Sequence, residues 1–239
     1  MTENKRYDSF ILGVCLVIGL GLLGFLLGNA LIQFKQSDRT VTVKGLSERE
    51  YEADIVIWPI QFTTVGNELE DLYSAIDQSA ERIQTFLQNA GIKQEEITVS
   101  TPAIVDKSAQ QYGNESTLLF RYTASQSVTV YSDNIKAVRT VMGKLSELGK
   151  QGIVLTGENY ESQTEYIFTR LNDVKPDMIE EATKKAREVA EKFALDSKSK
   201  LGKIKSASQG QFSISPRDKN NPHIKQIRVV STISYFLSD

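Results

Sequence analysis

Few residues in this chain have the type and spacing to do chemistry. His223 is the only histidine among the 239 residues and follows Asn220, Asn221 and Pro222. A single histidine can carry a proton, but holding a transition metal takes several His, Cys or carboxylate ligands together. The polar, proline-bearing setting makes a solvated loop residue the expectation for His223. Cys15 is the only cysteine and lies inside an apolar run. The rest of the chain therefore has no disulfide and no thiolate metal site. Val14 stands before Cys15, where a lipid-modified cysteine wants a small residue, so Cys15 is read as a helix cysteine. No G-x-S-x-G, Walker or Rossmann glycine pattern occurs. Paired carboxylates for glycoside hydrolysis would have to be brought together by the fold from acids on the outer faces of helices. Neither an enzyme nor a cofactor is expected, and no catalytic, cofactor-binding or metal residue is assigned. Trp58 lies between Ile57 and Pro59 and is read as core. Tyr160, Tyr166 and Phe168 alternate and would share one face of a strand.

Charge excludes one class of partner. The formal charge is −2, with 28 Lys and Arg against 30 Asp and Glu. A phosphate-binding surface would show a basic excess or stripe, so nucleic acid is not expected.

The strongest signal in the sequence is physical. Every residue from Phe10 to Gly28 is apolar, Gly or Cys, and Ala30, Leu31 and Ile32 extend the run past Asn29. A helix over residues 10–32 would be about 34 Å long, enough for a hydrocarbon core of about 30 Å. Phe10, Leu16, Leu20, Leu23, Phe25 and Leu27 would meet the lipid. A cleaved signal peptide is the competing reading: Lys5 and Arg6 supply a basic start, and Gly28-Asn29-Ala30 a small-x-small site. The apolar core exceeds the roughly 7–15 residues usual for a signal peptide, which favours an uncleaved anchor. Gly24 and Gly28 form a GxxxG pair, continued by Gly21, that would let a second helix approach. Basic residues flank both ends of the run, so charge alone does not orient it.

The chain thus divides into a short tail over 1–9, an anchor over 10–32, a tether over 33–40 and a body over 41–239. In the body, strands are predicted at 41–45 and 55–62, joined by a turn near Gly45–Arg49, with Pro59 marking an edge or a bulge. A helix is predicted over 67–90, capped by Asn67 and ended by Gly91. Strands at 96–105 and 118–131 flank a polar loop, Asp106–Ser116. A second helix is predicted over 133–149 and a strand over 152–169. A charged helix follows over 175–195, with Pro176 at its start. Met178, Ile179, Ala182, Ala186, Val189, Ala190 and Phe193 form its inner stripe. Strands at 202–209, 211–215 and 227–237 complete the body, with the Pro216–Pro222 loop before the last. Helix followed by strands occurs near 67–131 and again near 175–237, which suggests two intertwined halves. This order fits an α+β fold of antiparallel sheets with helices packed on one face, plus one N-terminal transmembrane helix.

Several segments in this order resemble the SIMPL-domain family. Val41–Gly45 is similar to its V-x-V-x-G opening strand, and Gly91–Ser100 to its link from helix to strand. Tyr122–Val130 is similar to its Y-x-A-x-x-x-V-x-V strand. Ala182–Ala194 followed by Leu201–Ile204 resembles its alanine-spaced helix and L-G-x-(V/I) strand. Tyr51–Asp54 departs from the pattern by lacking a proline, and Asn172–Pro176 departs from it by being shorter than the family's usual loop before the third helix. The resemblance covers about residues 40–237. It implies an exported bacterial envelope protein, in the inner membrane with its body in the periplasm, with links to stress tolerance. It also implies self-assembly into a large ring, and no catalytic residues. The expectation is a scaffold-type homo-oligomer. The alternative is a monomeric envelope binding module that uses the Asp106–Ser116 and Pro216–Pro222 loops for a protein or small ligand.

Overall fold

The computed structural model describes residues 13, 16–28, 39–109, 119–157 and 163–238. The strands are β1 Thr40–Glu52, β2 Ile55–Gly66, β3 Ile97–Val99, β4 Ala103–Asp106, β5 Tyr122–Ser132, β6 Val154–Leu155, β7 Glu165–Ile167, β8 Lys200–Gln209, β9 Ser213–Pro216 and β10 Ile224–Ser238. The body helices are α1 Leu69–Asn89, α2 Ile135–Met142, α3 Ser146–Lys150 and α4 Leu171–Asp196. The fold is α+β with antiparallel sheets. The chain forms two compact units: residues 1–48, 175–213 and 228–239, and residues 49–174 and 214–227.

In the first unit, β10 lies between β1 and β8, with β9 also paired to β10. Bonds between Leu237 N–H and Arg39 O and between Thr42 and Ser234 hydroxyls mark opposite strand directions for β1 and β10. The α4 helix buries Met178, Ala182, Ala186, Ala190 and Ala194. Ala186 and Ala190 pack with Val43, Ile233 and Tyr235. The buried stripe is alanine because the helix lies directly on the strand. A Cβ at Gly45 would fall 1.8 Å from the carbonyl oxygen of Ala182 and 2.5 Å from Ala186 N. Gly45 is therefore a contact residue, and β1 runs through it to Glu52 instead of turning there. Ser47, fully buried, donates to Glu181 at 2.9 Å, and Lys185 binds the same carboxylate.

The sequence placed Val189 and Phe193 inside α4, yet both are exposed. At steps of four, the alanine line alone meets the sheet, and these larger side chains flank it. Pro176 lies inside the helix, not at its start. The helix ends in a Schellman turn: Ser199 N–H reaches Ala194 O at 2.8 Å and Lys198 N–H reaches Leu195 O at 3.0 Å. Lys198 occupies the left-handed position of that turn, at φ 53°. Glycine is preferred there because it has no Cβ to crowd the carbonyl. Lys198→Gly should raise stability by about 1 kcal/mol, read as a higher melting temperature.

In the second unit, the sheet order is β3-β5-β2-β6, with β4 on β5 and β7 on β2. The long β2–β5 ladder runs from Val56↔Ser132 to Gly66↔Tyr122. On the other side, β7 pairs Ile55–Ile57 and β6 pairs Phe62–Thr63. Pro59, which lacks an N–H, sits in the gap between them, so its strand is an edge there only. The β3 and β4 ladders on β5 differ in register by one residue across Ser100–Pro102, with the Ser100 N–H and hydroxyl both engaging Ser127. Helix α1 buries Leu72, Ile76, Ala80, Ile83 and Leu87 against Phe62, Val128 and Trp58. Each of the buried leucines and isoleucines contributes about 1.5–3 kcal/mol. Trp58 is core, as its strand position implied.

Local differences from the sequence reading have local causes. Asn67 does not cap α1. It accepts the Arg121 N–H at 2.9 Å, and Glu68 takes the capping position without a side-chain bond. The helix predicted over 133–149 is two short helices, α2 and α3, the first capped by Asn134 through Ala137 N–H. The strand predicted over 152–169 is two short strands. Tyr160 lies outside the described residues, Tyr166 is half-buried, and Phe168 stacks on Tyr51 with centroids 5.4 Å apart.

Of the apolar N-terminal run, residues 16–28 are helical, and Phe10 lies outside the described residues. Among the described residues no helix is long and apolar enough to cross a membrane. Leu16, Leu20, Leu23, Phe25 and Leu27 are all exposed, and a Cβ added at Gly21, Gly24 or Gly28 would meet no described atom within 4 Å.

Candidate functional site

The clearest polar constellation in the second unit gathers around His223. Its backbone O accepts the Ala53 N–H at 2.8 Å, which fixes the residue beside the start of β2. Arg139, on α2, places Nη1 2.9 Å from His223 Nε2. A guanidinium can only donate, so Nε2 is the acceptor, the ring is neutral and the proton sits on Nδ1. That Nδ1 is buried and finds no hydrogen-bond partner among the described residues. Glu52, Lys136, Arg139 and Ile135 line a small cavity of about 50 Å³ beside the ring. The ring is half-buried, where the sequence reading expected a solvated loop residue. Local sequence showed only a polar loop, whereas Arg139 and Glu52 come to the ring from other segments.

Burial pushes the His223 pKa down, and Arg139 pushes it further; Glu52 opposes them, Arg217 adds to the depression and Asp218 opposes it. The unfolded chain binds the proton more readily, so the contribution is complete above a pH of about 6.5 and is lost as pH falls below it. Wild-type protein should melt at a lower temperature at mildly acidic pH than at neutral pH. A His223→Asn variant should flatten that difference.

A larger open groove of about 800 Å³ lies on the other side of Arg139, lined by Met142, Gln163, Tyr166, Pro216, Asp218 and Lys219 among others. Tyr166 sits 6.0 Å from the His223 ring, centroid to centroid. The loop at its rim is held by Asp218. Arg217 and then Asn221 hold the Asp218 carboxyl at about 2, and the N–H groups of Asn220 and Asn221 donate to it as well. The Pro216–Pro222 loop is therefore a structured rim. The other loop singled out from sequence begins at Asp106, which Arg121 and then Ser108 hold at about 2. Residues 110–118 lie outside the described residues.

Two further polar features stand apart from the groove. In Asp54, burial raises the pKa, but the Thr169 N–H and Arg170 outweigh it and leave the carboxyl lowered. Lys225 is buried, which lowers its pKa against the pull of Glu165. Among the described residues no group of three or more His, Cys, Asp or Glu could hold a metal. A second open groove is lined by Glu81, Arg82, Lys144 and Glu147 among others, with Arg82 donating to the Gln151 carbonyl at 3.3 Å.

The fold defines an α+β protein with two antiparallel sheets, the first carrying an alanine-faced helix over a glycine in its edge strand. Over residues 41–230 the chain matches the model of the SIMPL family, described as a protein of unknown function (DUF541), and it belongs to that family. No curated protein matches the sequence.

Proposed function

We propose that this protein is a membrane-anchored scaffold of the bacterial envelope. Its helix over residues 10–32 lies in the inner membrane, its body stands in the periplasm, and copies assemble into a large, ring-shaped homo-oligomer. The observation that carries the reading is the helical stretch 16–28, whose large apolar side chains are exposed among the described residues. A surface of that kind is unstable in water and stable in lipid. Self-assembly is supported by β8, an outer strand of its sheet with nearly every residue exposed. Alkaline extraction of membranes tests the anchor: the full chain should stay in the pellet, and release into the wash would contradict the reading.

A second reading is a binding module. It is favoured by the groove beside Arg139 and His223, with its orphaned Nδ1 proton. Capture from envelope extracts with Arg139→Gln beside the wild type separates the two. An unchanged set of partners argues against the binding module.

A further inference from the structure

The second unit holds an arginine that is fixed in place without being neutralised. Arg121, Arg170 and Arg217 each bond to an aspartate, at 2.8 Å, 3.1 Å and 2.9 Å. Arg139 bonds instead to the ring of His223, through Nη1 at 2.9 Å. Glu52 shares the small cavity beside that ring, yet among the described residues Arg139 forms an ion pair with no carboxylate. The histidine acceptor is neutral, so the guanidinium keeps its full charge. It also keeps its Nε and Nη2 edge, the pair of donors that meets a carboxylate side by side.

This guanidinium lines the open groove of about 800 Å³, a size within the roughly 300–1,000 Å³ of small-molecule sites. The charges along the groove do not balance. Lys219, exposed and in no ion pair among the described residues, adds a second cation. Asp218 is the one acid among the described lining residues, and its oxygens are taken by Arg217, Asn220 and Asn221. The same bonds occupy the N–H groups of Asn220 and Asn221, the loop amides on which a phosphate would draw. The apolar part of the lining is Met142, whose sulfur accepts from the Tyr166 hydroxyl at 3.8 Å, together with Pro216 and Pro222. A planar cationic fork, a second cation and an apolar wall suit a carboxylate carried on an apolar body.

We propose that this groove binds an apolar carboxylate, either a free acid or the C-terminal carboxylate of a peptide. Arg139 is its bidentate partner, Lys219 supplies the second cation, and His223 is the positioning residue that holds the guanidinium. The inference rests on the binding-module reading above and names the ligand class of that groove.

Isotope-labelled methionine methyl groups give the readout by NMR, in the full chain solubilised in a non-ionic detergent at a pH above the ordinary histidine value. Met142 lines the groove, while Met178 is fully buried in α4 of the first unit and serves as the internal control. Met142→Leu assigns the signal. The probes are N-acetylphenylalanine, a tetrapeptide ending in phenylalanine with a free carboxylate, the amidated form of each, and inorganic phosphate. The acids should shift the Met142 resonance saturably, and the amides and phosphate should leave it unmoved. Arg139→Lys keeps the charge but loses the fork, and should weaken binding by about tenfold or more. His223→Gln, which retains an acceptor, should bind like the wild type, whereas His223→Leu should weaken binding as Arg139→Lys does. A ring that merely packs would be replaced better by leucine than by glutamine. The Met178 resonance should hold its position in every variant, which reports an intact fold. Binding of only one acid supports the proposal and identifies the source, free acid or chain end. Equal shifts from the amides or from phosphate overturn the ligand class and leave the groove a binding site. Failure of both acids to move Met142 overturns the proposal, whereas the binding-module reading falls only if Arg139→Gln leaves the envelope partners unchanged.

Discussion

Gly45→Ala should cost about 3 kcal/mol of stability and lower the melting temperature by roughly 6–12 °C. The added Cβ would stand 1.8 Å from the Ala182 carbonyl oxygen and 2.9 Å from its carbon. Both are backbone atoms in the middle of a 26-residue helix, so no rotamer change relieves the overlap. Either β1 or α4 must move, and moving the helix opens the packing of Ala186 and Ala190 on Val43, Ile233 and Tyr235. It also strains the bond from buried Ser47 to Glu181. Thermal unfolding by circular dichroism checks this. A melting temperature within a degree or so of wild type would mean that the strand–helix approach is not what the glycine serves.

The second large effect concerns the apolar helix. Leu20→Arg together with Leu23→Arg should move the protein from the membrane pellet to the soluble fraction. Arginine near the centre of a spanning helix costs about 2.5–3.5 kcal/mol per residue, so two of them remove much of the driving force for insertion. Leu20 and Leu23 contact no core of the body: both are exposed. The pair should therefore leave the melting of the body unchanged, which separates loss of anchoring from misfolding. Retention in the pellet after alkaline washing would contradict a lipid-embedded helix at this position.

How much of this was legible beforehand depends on the range of the interaction. Helix α1 declared itself through Leu72, Ile76, Ala80, Ile83 and Leu87 because a 3.6-residue period is local information. Gly91 ending that helix was equally local: it adopts φ 92°. Gly45 misled for the opposite reason. A glycine between two strand-like runs reads as a turn, and only the presence of α4 against β1 gives it another purpose. The alanine spacing of 182–194 contained the complementary hint, since so narrow a stripe suits close approach, but nothing local says what it approaches. His223 shows the same limit. Its neighbours are polar, while the groups that enclose it, Arg139 and Glu52, come from distant segments. Asn67 is a competition that the sequence could not decide: the Arg121 N–H took the side chain that would otherwise cap α1.

The two acid-sensitive regions of the second unit should also be separable. His223 loses its contribution as pH falls below about 6.5, whereas Asp106 and Asp218, each held at about 2, lose theirs only as pH falls below their ordinary value of 3.8. A melting curve followed from neutral to strongly acid pH should fall in two stages, and His223→Asn should remove the first alone.

The scaffold reading is tested most directly by the mass of the full chain in mild detergent, measured by light scattering coupled to size exclusion. It predicts one discrete species at a high multiple of the 26.7 kDa monomer, stable on dilution. A monodisperse monomer across micromolar concentrations would contradict it and turn attention to the groove beside Arg139 and His223.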